Sequence, residues 1–596
     1  MRPWRRWALL IGGLTCATSA AVVEATGYRP VVLVLWLAGM ALPTVYLRMT
    51  DRRDRNHVSD NSFNRSDVLT SIALLLAFLP LYLPFVYWIP FQMNADEVVI
   101  SEISKAISGE VPDDLLGPSR VYFGIPSLVF AAFGKIAQVM GGAELQNMRL
   151  IHAVCGLLII PPAYFFFRLT HRRPIAVVAV TVMMICHSLL IISRSVSRNN
   201  LAALNTVAAL FFLLRGARRG SRFDLFVGGV VAGLSFYHYP PTRIIYAVWL
   251  VYLGVAHVLR RLGRLELGWV APIRRVVLIG SLGFAMTIAP MVAATLRAPS
   301  STYSREQLLI FPEGRDSQRN WYGKDSFREA LIHNVRQGLV MFNKAIPDQA
   351  AMYWNVRAGF LDPISGWLLW VGLITAAVAI SRNAPHADGH LLAIVGFITL
   401  FMAYLFVMNK APNYTRLFVV LPLIALLVAT SFGALVSATL RIKALASRWA
   451  SSHLEVAVLG LSLAPIVYWN LYIAGDFAIR GFVEGDDIGS TARYVESKRS
   501  EPRSFFIASS PQSPYFVWEW GLQNNRDRVK FSAGTHQHVE ALLPPDIPAK
   551  LGPPPWTLLI RKELWRMSEA RVRERCPGVE MRTLMRDGSR LAVECQ

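Results

Sequence analysis

Two adjacent carboxylates, Asp96 and Glu97, follow directly on an apolar stretch that ends in Tyr-Trp-Ile-Pro. Tyrosine and tryptophan are enriched at the membrane–water interface, so we expect the pair at a membrane exit. A carboxylate in that position can act as a general base and deprotonate a hydroxyl group. The next residues approximate an amphipathic surface helix, whose N-terminus would hold both acids. The pattern alone leaves open that Asp96 is only the N-cap of that helix.

Basic and aromatic residues cluster in two later segments, each next to an apolar stretch. His238, Tyr239 and Arg243 belong to the first segment, and Tyr414 and Arg416 to the second. Arginine can bind a phosphate through its planar fork, and cations can stabilise a phosphate leaving group. An aromatic belt with a snorkelling arginine is the alternative interpretation.

Three more arginines are predicted on the same side of the membrane as the carboxylates. Arg120 follows the carboxylates in sequence, and Arg194 and Arg198 lie in the basic segment Ser-Arg-Ser-Val-Ser-Arg. Basic residues outside the cytoplasm run against the usual charge bias of membrane proteins. An anionic lipid headgroup would account for Arg194 and Arg198.

The composition requires that these residues be positioned by a membrane domain. Of 596 residues, 54% are hydrophobic and 17% are charged, whereas a soluble domain carries about 25% charged residues. The apolar excess falls in runs of about 20 residues, the length that spans a bilayer. A soluble enzyme, a fibrous protein and a disordered chain are thereby excluded. The net charge of +22 collects in short loops, as expected of cytoplasmic loops, and does not indicate a nucleic-acid partner.

We predict an all-α polytopic domain with about 13 transmembrane helices, followed by a small α/β domain. If the apolar stretch 121–140 does not cross the membrane, the arginine-rich loops fall on one side, as the positive-inside rule requires. The first helix also fits a signal peptide, and we favour an uncleaved span. The predicted parts are two N-terminal helices with a cytoplasmic loop (1–66), the main membrane domain (67–474) with outer loops at 91–148 and 297–362, and an extracytoplasmic domain (475–596). Cys576 and Cys595 could pair there in an oxidising compartment.

Taken together, the motifs resemble those of the GT-C glycosyltransferases. The resemblance runs from about Val68 to Leu440, and is strongest to the superfamily of dolichyl-phosphate-mannose protein mannosyltransferases and aminoarabinose transferases. It rests on the Asp-Glu pair before a surface helix, on Arg149 opening the next span, on the segment GLSFYHYPPTR ending at Arg243, and on Tyr414 with Arg416. The two helices within residues 1–66 are additional to the usual layout of that superfamily.

The resemblance implies an inverting transfer of a sugar from a polyprenyl-phosphate donor at the outer face of the cytoplasmic membrane. The acceptor would be a hydroxyl of a lipid, a glycan or a protein. Asp96 takes the position of the base, and Glu97 that of its assisting or structural partner. The residues implied in binding the substrate or the lipid phosphate are Arg120, His238, Tyr239, Arg243, Tyr414 and Arg416. No metal ligands are assigned, although some members use a divalent metal and the Asp-Glu pair could contribute ligands.

Two other functions remain open at this point. A transporter or flippase for an anionic lipid or solute would favour charged or broken helices near the midplane and two related halves. The spans show few ionisable residues near their middles, and no internal repeat is visible. A receptor or assembly platform would instead use the loop 300–362 and the C-terminal domain, without chemistry.

Overall fold

The computed structural model describes most of the predicted helices and part of the C-terminal domain. The described residues are 3–24, 29–54, 63–86, 97, 100–101, 103–104, 115–117, 126–142, 145–297, 326–346, 358–407, 412–442, 451–480, 494–495, 497–498, 504–508, 539–542, 551, 554–584 and 590–595. Asp96 and Arg120 lie outside them.

The described part of the membrane domain is helical throughout. Its α-helices are α1 (Pro3–Glu24), α2 (Arg29–Asp54), α3 (Arg65–Tyr82), α4 (Leu128–Val139), α5 (Leu145–Leu157), α6 (Ile160–Thr170), α7 (Arg173–Ile185), α8 (His187–Ser193), α9 (Asn199–Arg219), α10 (Arg222–Leu234), α11 (Ile245–Arg261), α12 (Ile273–Arg297), α13 (Phe327–Val340), α14 (Pro363–Ser381), α15 (Ala387–Val407), α16 (Leu421–Leu440) and α17 (Ser451–Arg480). Short 3-10 helices cover Ser235–Tyr237, Pro240–Ile244 and Tyr414–Val419.

Ten helical segments of the described chain are long and apolar enough to cross a membrane, and α7 with α8 makes an eleventh if this pair, bent by 57°, is one span. The protein is therefore a multi-pass membrane protein, as predicted, while the number of 13 spans stays a prediction. Helix α4 has 12 residues, which at 1.5 Å per residue is about 18 Å. The described helix is therefore well short of the roughly 30 Å of a hydrocarbon core. Residues 121–125 lie outside the described residues, so the expectation that the stretch 121–140 does not cross stays a prediction.

Helices α10 and α12 approach each other closely through glycines. A Cβ atom on Gly229 would lie 2.0 Å from the carbonyl oxygen of Gly280, and one on Gly283 would lie 2.3 Å from that of Phe226. Small residues allow this approach of two backbones in a membrane. The close packing holds α10 against α12, and the segment 235–244, which contains three predicted site residues, follows α10 directly.

The bundle has two ends, which we call the Glu97 end and the Arg218 end. At the Arg218 end, Arg218 forms a bidentate ion pair with Asp388, at 2.6 and 2.8 Å. Asp67 there accepts hydrogen bonds from Tyr164 and Arg168. Acids on neighbouring helices thus pair with arginines of the predicted cytoplasmic loops.

The C-terminal part forms a five-stranded mixed sheet with the order β2-β1-β3-β5-β4. The strands are β1 (Ser504–Ala508), β2 (Val539–Leu542), β3 (Trp556–Arg561), β4 (Glu580–Thr583) and β5 (Arg590–Cys595), and helix α18 (Lys562–Arg575) follows β3. Strand β1 pairs in parallel with β2 and β3, and β5 pairs antiparallel with β3 and β4. Trp565 and Val572 of α18 pack in one buried cluster with Leu558 and Val593 of the sheet. The predicted α/β fold and the disulfide between Cys576 and Cys595 are both present.

Candidate functional site

Glu97 forms a buried, bidentate ion pair with Arg149 of α5. Arg149 Nε donates to Oε1 and Nη2 to Oε2, both at 2.9 Å, and both side chains are almost fully buried. The backbone N–H of Val196 also donates to Oε1, at 2.8 Å. An ion pair out of contact with water needs such complete hydrogen bonding, because the desolvation of both charges opposes it. Both oxygens of Glu97 are engaged, which supports a structural role for this carboxylate.

The described residues of the predicted surface helix are buried, and Glu97 lies among them in the protein interior. Residues 97, 100, 101, 103 and 104 are helical, and Ile100 and Ile103 pack in one buried cluster with Phe133 and Met148. Ser101 and Ser104 are buried as well, so the described residues of this segment lie inside the protein, with Ile100 and Ile103 against α4 and α5.

The segment 194–200, between α8 and the start of α9, connects the surrounding elements. Arg194 donates to the carbonyl oxygens of Leu81, Tyr82 and Pro84 at 2.7, 3.1 and 2.8 Å. These carbonyls belong to the last turn of α3 and the residues just beyond it, where backbone acceptors lack partners within the helix. Arg194 thus holds the end of α3, from which the chain continues toward the carboxylate pair.

Arg198 of the same segment reaches the second group of predicted residues. Its Nη1 donates to the carbonyl oxygen of His238 at 3.1 Å, and its guanidinium lies 5.0 Å from the centre of the Phe130 ring. Both Arg194 and Arg198 are buried. The hypothesis that they bind an anionic lipid headgroup is therefore wrong, because their side chains are directed at groups within the protein.

Tyr239 and Arg416 lie in direct contact, although they are far apart in sequence. Arg416 Nη1 donates to the Tyr239 hydroxyl at 2.7 Å, and this hydroxyl donates to the carbonyl oxygen of Thr415 at 2.9 Å. The guanidinium also lies 5.5 Å from the centre of the Tyr239 ring, within the range of a cation–π contact. The structure thereby brings the two predicted basic–aromatic segments together.

His238, Arg243 and Tyr414 have different surroundings. Burial and the positive charges of Arg198 and Arg243 lower the pKa of His238 to about 3, so this side chain is neutral near pH 7. Arg243 is half-buried, and its guanidinium lies 5.5 Å from the centre of the Phe236 ring. Tyr414 is buried and donates to the carbonyl oxygen of Ile346 at 3.1 Å. Of these three residues, only Arg243 can offer a positive charge to a phosphate.

The segment 194–200 links the predicted residues into one chain of contacts. The backbone N–H of Val196 donates to the Glu97 carboxylate, and Arg198 donates to the carbonyl oxygen of His238. The hydroxyl of the neighbouring Tyr239 accepts from Arg416. Sequence analysis named Arg149 only as a motif residue and Arg198 only as a candidate headgroup ligand, and assigned neither to this chain of contacts. The signal available for Arg149 was its position at the start of an apolar stretch, where a charge is costly unless it is paired or hydrated.

The described residues do not fit a metal site. Among them, no group of three or more histidine, cysteine, aspartate or glutamate side chains could hold an ion. The Glu97 oxygens, which the sequence offered as ligands, accept hydrogen bonds from Arg149 and Val196.

The fold is similar to that of several solved membrane glycosyltransferases. The oligosaccharyltransferase AglB of Archaeoglobus fulgidus, in complex with an inhibitory peptide and a dolichol-phosphate, matches with a TM-score of 0.50 and 13% identity over 77% of this chain and 63% of that chain. ArnT of Cupriavidus metallidurans bound to undecaprenyl phosphate matches with a TM-score of 0.49 and 15% identity. The match covers 88% of this chain and 97% of that chain. The chain thus spans a little under two thirds of the length of AglB. This likeness shows that the chain has the predicted GT-C fold.

Part of the chain also matches a family model. Residues 126–282 match the model of the dolichyl-phosphate-mannose-protein mannosyltransferase family. The matched region contains Arg149, the segment 194–200, and Tyr239 with Arg243. A comparison with curated proteins found no match.

Proposed function

We propose that this protein is an inverting membrane glycosyltransferase that moves a sugar from a polyprenyl-phosphate donor to a hydroxyl group of a lipid, glycan or protein acceptor. The observation that carries the proposal is the chain of contacts from the Glu97–Arg149 pair through the segment 194–200 to the Tyr239–Arg416 pair. These contacts link the Asp-Glu motif to Arg416, whose guanidinium is a group that can bind a phosphate, in a protein of GT-C fold. The name of the matched family and the dolichol-phosphate bound to AglB support a polyprenyl-phosphate donor.

In the proposed reaction, Asp96 is the general base and Glu97 is its structural partner. Asp96 takes the proton of the acceptor hydroxyl, and the resulting oxygen nucleophile attacks the anomeric carbon from the side opposite the phosphate. The bond between the anomeric carbon and the phosphate oxygen breaks, and its electron pair leaves with the polyprenyl phosphate. The carboxylate of Glu97 is held by Arg149 and Val196, as expected of a structural partner.

Arg416 and Arg243 are proposed to stabilise the leaving phosphate, together with Arg120. Hydrogen-bond donors that are already oriented before the reaction stabilise developing charge most effectively. The contact with the Tyr239 hydroxyl and ring orients the Arg416 guanidinium in this way. The neutral His238 would serve by hydrogen bonding and packing, since its low pKa excludes a positive charge near pH 7.

The same proposal places the Glu97 end and the C-terminal domain on the outer side of the cytoplasmic membrane. Two observations support this orientation. Arg260, Arg261 and Arg264 outnumber the nearby acid Glu266 in a loop that contacts Arg218 through the backbone N–H of Val270, as the positive-inside rule expects of a cytoplasmic end. The disulfide between Cys576 and Cys595 is typical of an oxidising compartment.

The test of this function is the Asp96→Asn variant of the full-length protein. We expect it to abolish sugar transfer while membrane insertion and binding of the polyprenyl phosphate persist, because only the base is lost. The Glu110→Gln variant in the same outer loop is the matched control. Mass spectrometry of cell-envelope glycans and glycoproteins with each variant would identify the missing sugar and acceptor. Substantial transfer by Asp96→Asn would refute the assignment of the base.

A further inference from the structure

The additional N-terminal hairpin, formed by α1 and α2, contacts the segment that contains the proposed phosphate-binding residues. Trp36 of α2 donates its indole N–H to the carbonyl oxygen of Thr287 in α12 at 2.9 Å. The hydroxyl of Tyr237 donates to the same oxygen at 2.7 Å. The Trp36 and Tyr237 rings meet edge to face, with centres 5.2 Å apart, a favoured geometry for aromatic pairs.

The environment of this pair excludes water. Trp36 and Tyr237 are 3% and 1% exposed, respectively, and they belong to one buried cluster with Val32, Leu116 and Met291. A polar group buried in such a cluster needs its hydrogen bond, because water cannot replace the lost partner. The shared carbonyl of Thr287 therefore couples the position of α2 to that of Tyr237.

Tyr237 lies two residues before Tyr239, and the segment between them is held from several sides. Tyr237 is bonded to α12, the carbonyl of His238 to Arg198, and Tyr239 to the second basic segment through Arg416 and Thr415. A shift of Tyr237 would therefore move the Tyr239 hydroxyl that orients the Arg416 guanidinium.

We propose that Trp36 is a positioning residue for phosphate binding, acting through Tyr237 on the Tyr239–Arg416 pair. This inference rests on the proposed function, since it assumes that Arg416 binds the phosphate of the lipid. It gives the additional hairpin a role, since α2 contacts the phosphate-binding segment through Tyr237.

The experiment measures the affinity of the full-length protein in lipid nanodiscs for undecaprenyl phosphate without sugar, by native mass spectrometry. Trp36→Phe keeps an aromatic ring and removes the N–H donor, and Tyr237→Phe removes only the hydroxyl. Loss of one such bond is expected to raise the Kd roughly fivefold. Trp367→Phe is the matched control, because Trp367 is 69% exposed on α14, and its Kd should stay within about twofold of the wild-type value. Arg416→Gln serves as the reference for loss of the phosphate contact itself.

Thermal unfolding of each variant separates positioning from a general loss of stability. A raised Kd for Trp36→Phe and Tyr237→Phe at a Tm close to that of Trp367→Phe supports the inference. Wild-type affinity in both variants, with a weakened Arg416→Gln, overturns the role of Trp36 and leaves the proposed function standing. No binding by the wild-type protein, or full binding by Arg416→Gln, refutes the proposed phosphate contact and this inference with it. If Trp36→Phe does not fold, Tyr237→Phe decides between these outcomes.

Discussion

Arg149 binds both carboxylate oxygens of Glu97 inside the protein, across a separation of 52 residues in sequence. The pair attaches the start of the predicted surface helix to α5, and Val196 adds a third hydrogen bond from the segment 194–200. The carboxylate next to the proposed base is thus part of the protein framework. Its charge is balanced by a guanidinium that has no access to water.

Replacing Arg149 by methionine should be strongly destabilising. The change leaves the Glu97 carboxylate buried and unpaired, which costs about 3–5 kcal/mol. The double variant Glu97→Gln with Arg149→Met should cost less than the sum of the single changes, because no unpaired charge remains. Thermal unfolding of the purified variants in detergent measures these differences.

Arg172→Met is the control for this cycle. Arg172 also forms an ion pair, with Glu455, but its side chain is 51% exposed, and exposed pairs contribute about 1 kcal/mol or less. An equal loss of stability in Arg149→Met and Arg172→Met would contradict the expectation that burial makes the Glu97–Arg149 pair more important than an exposed pair.

The contact between Tyr239 and Arg416 should be visible in the kinetics of the donor. Tyr239→Phe removes the hydroxyl that accepts from Arg416 and donates to Thr415, and it should lower kcat/KM for the lipid-linked sugar about tenfold. Arg416→Gln removes the charge and should lower it about a hundredfold. Steady-state kinetics with varied donor concentration measures both effects.

Tyr468→Phe is the control for the loss of a tyrosine hydroxyl, since Tyr468 is exposed on α17. Its kinetics should equal those of the wild type. A Tyr239→Phe variant with wild-type kcat/KM would show that the Tyr239–Arg416 contact has no part in donor binding.

His171 should make the protein less stable in acid. Burial, followed by the charges of His390 and His386, lowers the pKa of His171 to about 3, compared with about 6.5 in the unfolded chain. Between these values the unfolded state binds more protons, so stability decreases as the pH falls below 6.5, by at most about 1.4 kcal/mol per pH unit for this group. The measurement is the Tm between pH 7.5 and pH 4.5.

The His171→Gln variant should show a weaker dependence of the Tm on pH than the wild type. His453→Gln, at an exposed position in α17, should leave the dependence unchanged. If the Tm of His171→Gln fell with pH as steeply as that of the wild type, His171 would not be the cause of the lower stability in acid.

The disulfide should stabilise the C-terminal sheet. It joins Cys576, after α18, to Cys595 in β5, with a sequence separation of 19, and closing a loop of this length contributes about 3 kcal/mol in the chain-entropy model. The double variant Cys576→Ser with Cys595→Ser should therefore be cleaved faster by protease within residues 504–595, while the membrane domain persists. Equal cleavage rates with and without the disulfide would contradict this expectation.

Local patterns in the sequence were sufficient to predict the helical membrane domain and the α/β character of the C-terminal part. The length of an apolar run determines whether a helix can cross a bilayer, because the free energy of transferring a residue from water to lipid depends mainly on the type of that residue. Run length did not decide the stretch 121–140, for which the distribution of arginines among the loops predicted that it does not cross. Strands β4 and β5 pair antiparallel, and the sequence between them contains Asp587-Gly588, a dipeptide that commonly signals a hairpin.

The roles of the charged residues, in contrast, depended on their neighbours in space. Arg194 and Arg198 lie in a basic segment whose composition is typical of lipid binding. In the structure, Arg194 donates to a backbone carbonyl at the end of α3 and Arg198 to the carbonyl oxygen of His238. A sequence does not show which unpaired carbonyl or buried acid an arginine will meet, because that depends on how distant helices pack.

By itself, the sequence determined that the chain is a multi-pass membrane protein and which residues could do chemistry at one end of its spans. Only the tertiary structure decided that Glu97 is held by Arg149, that Tyr239 orients Arg416, and that Trp36 supports Tyr237. The physical reason is that apolar transfer energy is a property of each residue along the chain, whereas the energy of a buried charge or hydrogen bond depends on a partner that only folding brings into contact.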